Sequence, residues 1–153
     1  MEKLDSIDKR ILFSLQDDCR SNTKEIATKV NLSVTATYER IKRLEKSGII
    51  KGYVAIINKE KVGKSLMAFC SVTLQLHSKQ LLNKFELAVG KIDEVMECFH
   101  VAGTYDYLLK IVVNDMNQYQ EVITNKLAVI ENIGQVHSSF VMTEIKNETA
   151  YKL

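Results

Sequence analysis

A turn of only three residues, 31–33, separates two short amphipathic helical patterns in this chain of 153 residues. The first pattern follows Asn22 and Glu25, which match a capping box, and the second follows Ser33, a preferred N-cap residue. A turn this short holds two adjacent helices at a steep angle. With an earlier periodic segment, the patterns predict three helices within residues 1–48, the last two forming a helix-turn-helix.

The third predicted helix separates an apolar side from a polar, cationic side. At 100° per residue, Thr37, Ile41 and Leu44 share the side that we expect to be buried. The opposite side and its flank carry Thr35, Tyr38, Glu39, Arg40, Lys42, Arg43 and Lys46. In a helix-turn-helix, the exposed face of the second helix enters the major groove of DNA. The pattern therefore predicts a DNA-binding helix, with an ordinary solvated amphipathic helix as the alternative.

Position along this helix divides the predicted DNA contacts. Thr35 and Tyr38 lie near its start, beside the cap Ser33, and we expect them to contact base edges. The cations are placed for phosphates, or for guanine in the case of arginine, and they are Arg40, Lys42, Arg43 and Lys46. The predicted DNA-binding set comprises the cap, the two base-contacting residues and the four cations.

Charge is unevenly divided along the chain. Residues 1–65 carry 14 Lys and Arg against 9 Asp and Glu, whereas residues 66–153 carry 7 against 10. All four arginines lie in the first part. This segregation favours a polyanionic partner, although chance in a short chain would also produce it. RNA is the competing partner, but the second part lacks the aromatic strand pattern of an RNA-recognition module, so double-stranded DNA is preferred.

After Gly48 the apolar period changes from that of helices to that of strands. Residues 49–58 are rich in β-branched side chains and predict a strand or a two-stranded wing, followed by a polar hinge at residues 59–64. The order that follows is strand, helix, strand, strand, helix, strand, at residues 66–76, 79–89, 95–101, 107–113, 116–130 and 136–145. This βαββαβ order predicts a ferredoxin-like sandwich with both helices on one sheet face.

The predicted fold class is therefore α+β, an N-terminal winged helix-turn-helix followed by a C-terminal ferredoxin-like βαββαβ sandwich domain. We expect a DNA-binding domain at residues 1–52, a wing and hinge linker at 53–65, and an effector-sensing and oligomerisation domain at 66–153. Apolar residues occupy both faces of the predicted strands, so we expect the sheets of several subunits to pack together.

Catalysis, metal binding and cofactor binding have little support. The three histidines are far apart, and they are His77, His100 and His137. The chain contains no HExxH, no GxSxG elbow and no phosphate-binding or dinucleotide-binding glycine loop. We therefore predict that the protein is not an enzyme and has no catalytic residue, metal site or cofactor.

Cysteine usage and hydropathy indicate a cytoplasmic protein. The cysteines are odd in number and widely spaced, at Cys19, Cys70 and Cys98, which favours buried free thiols in a reducing compartment. No apolar run approaches the roughly 18 residues of a membrane span, and residues 1–5 are not of signal-peptide type. We expect cytoplasmic, nucleoid-associated localisation and no membrane partner.

Several segments in the same order resemble the Lrp/AsnC family of leucine-responsive, or feast/famine, transcription regulators. The segments are LDSIDKRIL at 4–12, RSNTKEIA at 20–27, LS at 32–33, RIKRLE at 40–45, GII at 48–50, EVMECF at 94–99 and AGTYDYLL at 102–109. The resemblance covers nearly the whole chain. It implies a winged helix-turn-helix, a ligand-sensing domain, and homodimers that assemble into tetramers or octamers and wrap or loop DNA.

The resemblance also implies where a small effector, an amino acid, would bind. In such proteins the ligand lies between dimers, against the turn joining the second and third strands of the sensing domain and the start of its last strand. Carried over to this sequence, these residues are Val101, Ala102, Gly103, Thr104, Tyr105, Asp106, Gln135, Val136, His137 and Ser138. Hydroxyl groups would bind the ligand carboxylate, and Asp106 would accept from its ammonium group. Simple hairpin roles for Gly103 and Asp106 remain open.

Residues 130–134 read IENIG, where the family often has a run resembling Pro-Gly-Val, so the shape of this loop and the choice of ligand stay open. Two other functions also remain. One is a constitutive DNA-wrapping architectural protein without an effector. The other is an amino-acid-binding regulatory subunit of an enzyme, which the basic first part disfavours.

Overall fold

The computed structural model describes residues 3–153, and residue contacts divide them into two units. The helical unit comprises the described residues through Ile56 together with Ile145–Leu153. The sheet unit comprises Ile57–Glu144. The functional boundaries expected at residues 52, 65 and 66 stay a prediction, because this division reflects contacts and assigns no role. None of the described helices combines the length and apolar composition that a membrane span requires.

Three helices form the helical unit, and local side-chain bonds fix where each begins. They are α1 (Ser6–Asp17), α2 (Thr23–Val30) and α3 (Val34–Lys46). Asp5 and Asp8 form a capping box at α1, and Asn22 and Glu25 form another at α2, each satisfying amides that the first helical turn leaves unpaired. The buried apolar residues shared by the three helices are Ile11, Leu12, Ile26, Val30, Ile41 and Leu44.

The predicted three-residue turn between α2 and α3 is confirmed. Asn31 adopts the left-handed conformation with φ of 58°, which asparagine tolerates well, and Leu32 N–H donates to the Ala27 carbonyl at 3.1 Å. The Ser33 hydroxyl then accepts from Ala36 N–H at 3.2 Å and starts α3. Thus α2 ends and α3 begins within three residues, as a helix-turn-helix requires.

The sheet unit has the predicted βαββαβ order. Its elements are β1 (Leu66–Leu74), α4 (Lys79–Val89), β2 (Val95–His100), β3 (Tyr107–Val113), α5 (Met116–Glu121) and β4 (Ile133–Phe140). A short 3-10 helix, Glu60–Val62, precedes β1. The strands are antiparallel in the order β2-β3-β1-β4, so β2 and β4 are the edges.

Alternation along the strands gives the sheet two different faces. Cys70 lies opposite Leu109 and Ser138, and this row faces the core that α4 and α5 cover. The fully buried residues of that core include Phe85, whose ring centroid lies 4.5 Å from that of Tyr107. The other face carries intervening side chains such as Phe69, half-buried, and Phe99, 48% exposed. Neither α4 nor α5, which pack on the core face, lies over it.

The strand predicted over residues 49–58 does not form in the described chain. Val54 and Ile56 are 80% and 77% exposed, and these residues have no partner strand with which to build a ladder. A strand is stable only when its backbone amides and carbonyls find partners. The β-branched composition suited a strand, but the pairing that a strand needs depends on partners that composition does not reveal.

The last strand also differs from the predicted residues 136–145. It begins earlier because Gly134 fits beside β1, where the ladder shifts register between Thr73 and Leu74. It ends at Phe140, which lies opposite Ala68, and beyond it Val141 N–H still donates to the Met67 carbonyl at 2.9 Å. Sequence reasoning treated the glycine as a loop residue and so placed the strand too late.

Two further expectations are corrected. The helix predicted over residues 116–130, whose apolar spacing also placed Met116 on its buried side, is a short α-helix followed by a π-helical stretch, Val122–Leu127, and Met116 is exposed. Only Cys70 of the three free cysteines is buried, whereas Cys19 and Cys98 are exposed. The helical period was read correctly inside the segment, where Tyr119 and Leu127 are buried, but it could not reveal the local widening of the helix.

Replacing Gly134 with alanine should destabilise the sheet unit. The added Cβ would lie 3.0 Å from Thr73 Oγ1 and 3.2 Å from the Thr73 carbonyl oxygen, which the β1–β4 ladder holds in place. We expect a loss of about 1–3 kcal/mol in the free energy of unfolding, measured with urea. Gly52→Ala is the matched control, because nothing lies within 4 Å of its new Cβ. Equal stability of the two variants would contradict the steric account.

Candidate nucleic-acid interface and effector turn

The face of α3 opposite the core is polar and accessible. Thr37, Ile41 and Leu44 are buried, as predicted, whereas Thr35, Tyr38, Lys42, Arg43 and Lys46 are exposed. The helix begins at the Ser33 cap, so Thr35 and Tyr38 lie in its first turns. A surface with a hydroxyl group, a phenol ring and cations offers donors for base edges and phosphates.

Lys42 is partly engaged on this surface. Its Nζ lies 5.6 Å from the centroid of the Tyr38 ring and 2.7 Å from Glu45 Oε2. The Glu45 carboxylate raises the pKa of Lys42 and also accepts from the Tyr53 hydroxyl at 3.1 Å. Because the Glu45 carboxylate offsets the charge of Lys42, Lys46 is the clearer of the two lysine candidates for a phosphate contact.

Arg40 and Arg43 bind carboxylates at the start of α1. Arg40 Nη1 lies 2.7 Å from Asp5 Oδ2 and 2.8 Å from Asp8 Oδ1. Arg43 Nη2 donates to both Asp8 oxygens, at 2.7 and 2.6 Å. The Asp8 side chain is only 2% exposed, and a carboxylate so deeply buried requires partners of this kind. The two arginines therefore link α3 to α1.

The electrostatics of this ion-pair cluster follow from its hydrogen bonds. The Asp8 backbone N–H and the Arg40 guanidinium lower the pKa of Asp5 to about 2. Asp5 and then Asp8 raise the pKa of Arg40 further above its already high value. Both pKa shifts favour the charged forms, so Asp5 and Arg40 stay ionised at neutral pH.

The bonds to Asp5 and Asp8 leave Arg40 less accessible than Arg43 for the DNA contact predicted for each. The Arg40 side chain is 26% exposed, whereas the Arg43 side chain is 47% exposed and keeps a solvent-facing surface while it binds Asp8. Sequence reasoning missed the role of Asp8 in the fold. A detectable sign was present, because Asp8 lies beside Ile11 and Leu12 on the buried side of α1, where an acid needs a cationic partner.

The predicted effector turn joins β2 to β3 as a tight hairpin. Val101 N–H donates to the Asp106 carbonyl at 2.8 Å, and Gly103 adopts φ of 151°. Ala102, Gly103 and Thr104 between them are exposed. The turn thus presents backbone groups and the Thr104 hydroxyl to solvent, as a polar ligand would require.

Asp106 makes structural bonds with both carboxylate oxygens. Its Oδ2 accepts from Leu74 N–H at 2.7 Å, and its Oδ1 lies 2.9 Å from His77 Nε2. The Leu74 amide and then His77 lower the pKa of Asp106. This geometry matches the alternative in which Asp106 stabilises the turn, and it identifies His77 as a neighbour that sequence reasoning did not include.

The predicted effector residues of β4 lie on two faces of this edge strand. Gln135 and His137 share one face, where the His137 ring centroid lies 5.5 Å from that of Tyr105. Val136 and Ser138 share the face toward the core, and the Ser138 hydroxyl accepts from the Tyr119 hydroxyl at 2.5 Å. Tyr105 and His137 are therefore brought together, whereas the Ser138 hydroxyl is directed to the core.

Comparison with known proteins matches both units. The family model described as Lrp/AsnC ligand binding domain matches residues 67–151, and the one described as winged helix-turn-helix DNA-binding matches residues 4–51. Among curated proteins, the DNA-binding transcriptional activator DecR of Escherichia coli (strain K12) is 38% identical over 147 residues, covering 96% of this chain and 97% of its own. The leucine-responsive regulatory protein of Salmonella typhimurium is 38% identical over 143 residues, covering 94% and 87%.

Solved structures give the same match. A transcriptional regulator from Neisseria meningitidis, solved as a complex with L-Met, has a TM-score of 0.93 and 34% identity, covering 98% of this chain and 97% of its own. An AsnC family transcriptional regulator from Agrobacterium tumefaciens has a TM-score of 0.93 and 35% identity, covering 97% of both chains.

Replacing Arg40 with glutamine should lower the stability of the helical unit. The change leaves the nearly buried Asp8 with fewer donors, so we expect a loss of about 1–3 kcal/mol in urea unfolding. Lys46→Gln removes the same charge from the exposed end of α3 and should change stability by less than about 0.5 kcal/mol. Similar losses for both variants would refute the structural role of Arg40.

Proposed function

The chain belongs to the Lrp/AsnC family of DNA-binding transcription regulators, and on this basis we propose that it binds specific operators as a homo-oligomer whose DNA binding an amino acid modulates. The observation that carries the proposal is the exposed polar and cationic face of α3, held at the second position of a helix-turn-helix. The match of full-length regulators across both units supports a single regulator that combines DNA binding with ligand sensing.

In this proposal α3 lies in the major groove. Thr35 and Tyr38 contact base edges, while Lys46, Lys42 and the solvent-facing part of Arg43 contact phosphates. Ser33 contributes at the helix start. Arg40 acts chiefly by holding α3 on α1, because it is paired with two carboxylates and is the least exposed of the four cations.

A second copy of the chain would cover the open face of the sheet. That face carries half-buried or exposed apolar side chains, among them Phe69, Phe99 and Leu108. A two-fold dimer presents two recognition helices and so binds a pseudo-palindromic site. We propose a homodimer that assembles further into a tetramer or octamer.

The proposed effector is an amino acid, the class of ligand present in the Neisseria meningitidis structure. It would bind at the turn formed by Val101, Gly103, Thr104, Tyr105 and Asp106, against Gln135, Val136 and Ser138. Exposed backbone groups and the Thr104 hydroxyl would bind the carboxylate. Tyr105 and His137 would form one wall, since their rings already lie together.

The proposed role is regulatory rather than catalytic, with DNA in the cytoplasm at the nucleoid as its target. The competing function is a constitutive DNA-wrapping protein of the same fold. The exposed turn, with Tyr105 against His137 of β4, favours effector sensing, because it offers polar groups to a small ligand.

DNA binding should show separable phosphate and base contacts. On fragments selected from a genomic library, Lys46→Ala should weaken binding to every sequence and lower the salt slope by about one ion. Tyr38→Phe and Thr35→Val should instead alter preference at particular bases, by about 1–3 kcal/mol per lost contact. Fluorescence anisotropy at several salt concentrations measures both effects.

The matched control is Lys91→Ala, which removes one exposed lysine from the sheet unit. Its affinity and salt slope should equal those of the unmodified protein. Equal weakening by Lys91→Ala and Lys46→Ala would mean that net charge alone binds DNA, and the assigned role of α3 would fail.

Effector binding should raise thermal stability. An amino acid present at 100 times its dissociation constant adds roughly 2.7 kcal/mol, so melting in the presence of each of the twenty amino acids, L-Met included, should show a clear shift for one of them. Thr104→Ala should reduce that shift, whereas Thr143→Ala, at an exposed position outside the turn, should preserve it. A panel without any shift would leave the constitutive function as the better account.

A further inference from the structure

The chain passes between its two units twice. It leaves the helical unit after Ile56, builds the sheet unit, and returns after Glu144. The return segment, Ile145–Leu153, therefore follows β4 in sequence but belongs by its contacts to the DNA-binding unit. Only residues 141–144 separate it from the strand that carries part of the proposed effector site.

A pair of hydrogen bonds holds the return segment on α1. The Gln16 side-chain amide donates to the Tyr151 carbonyl at 3.1 Å and accepts from Tyr151 N–H at 2.7 Å. Both bonds engage the Tyr151 backbone, while its side chain is 79% exposed. The Gln16 amide thus pairs with both backbone groups of Tyr151, as the backbone of an adjacent β-strand would. Docking therefore depends on Gln16 and not on the tyrosine ring.

Beyond this point, Leu153 lines a groove on α1 and α2. The groove has a volume of about 530 Å³ and includes Phe13, Val30, Arg10 and Lys29. Arg10 also donates to the Lys29 carbonyl and so joins the two helices beneath it. Phe13 is 69% exposed, so the groove offers aromatic surface on which an apolar residue such as leucine can pack. No residue of α3 is among the described residues that line this groove.

An ion pair joins the two passages of the chain on the sheet-unit side. Lys59 Nζ lies 2.7 Å from Glu144 Oε2, and both side chains are 31% exposed. Lys59 comes just after the first passage, and Glu144 is the last residue before the second. The linker and the segment leaving β4 are therefore held together where each meets the sheet unit.

We propose that the α1–α2 groove is a docking surface for the return segment, and that this docking couples β4 to the DNA-binding unit. The regulatory part rests on the proposed function, whereas the docking itself does not. Because α3 does not line the groove, the docked segment acts as a second tether and does not mask the DNA-binding face. An effector at β4 then changes DNA affinity by favouring the docked or the released state, to the extent that it binds one of them better.

Amide hydrogen exchange of the full chain, without DNA or amino acid, tests the docking. Gln16→Ala removes both bonds, and we expect exchange at Tyr151 to rise about tenfold. Gln16→Glu keeps the acceptor but loses the donor. Exchange at Tyr151 in this variant should therefore be faster than in the unmodified protein and slower than in Gln16→Ala. Tyr151→Ala is the control, because its backbone bonds remain. Unchanged exchange within α1–α3 establishes that each variant folds, and equal exchange at position 151 in all four proteins would overturn the docking.

DNA affinity with and without the stabilising amino acid tests the coupling. Deleting residues 151–153 should reduce the effector-induced change in affinity about fivefold, while affinity without effector stays within about twofold. A deletion that leaves the effector response intact overturns the coupling. If the full-length protein shows no DNA binding or no effector response, both the proposed function and the coupling are refuted. The exchange experiment still tests the docking independently.

Discussion

The buried carboxylate of Asp8 is the interaction on which the DNA-binding unit depends. It caps α1, and it binds the guanidinium groups of Arg40 and Arg43 from α3. A carboxylate that is 2% exposed is stable only with such partners, so the helix that carries the DNA-binding face is fixed by charge as well as by apolar packing. The same arginines that suggested a polyanion partner in the sequence therefore act first within the fold.

This dual use explains how the exposed side of α3 can be rich in cations and still well ordered. Arg40 is largely committed to Asp5 and Asp8, while Arg43 binds Asp8 and keeps nearly half of its side chain exposed. Lys46, further along the helix, lies at an exposed position. The ion pairs thus hold the proposed DNA-binding face in place before any DNA arrives, and an interface ordered in advance lowers the cost of binding.

Local patterns predicted most of this fold. The capping residues Asn22 and Ser33 placed α2 and α3 correctly, because caps act within one helical turn. Pairing over long distances was harder to predict. Residues 49–58 lack a partner strand within the described chain, and β4 begins at Ile133 because Gly134 fits closely beside Thr73, a contact 61 residues away in sequence. Likewise, the bonds of Asp106 to Leu74 and His77 depend on the folded sheet, so the sequence alone left its role open.

The central claim is that the exposed face of α3 enters duplex DNA. The most direct measurement is the rate at which an amine-reactive reagent labels each lysine, quantified by mass spectrometry with and without a bound operator. The account predicts that DNA strongly slows labelling of Lys46 and leaves Lys91 of the sheet unit unchanged. Labelling of Lys46 at the same rate in the free and the DNA-bound protein would contradict it.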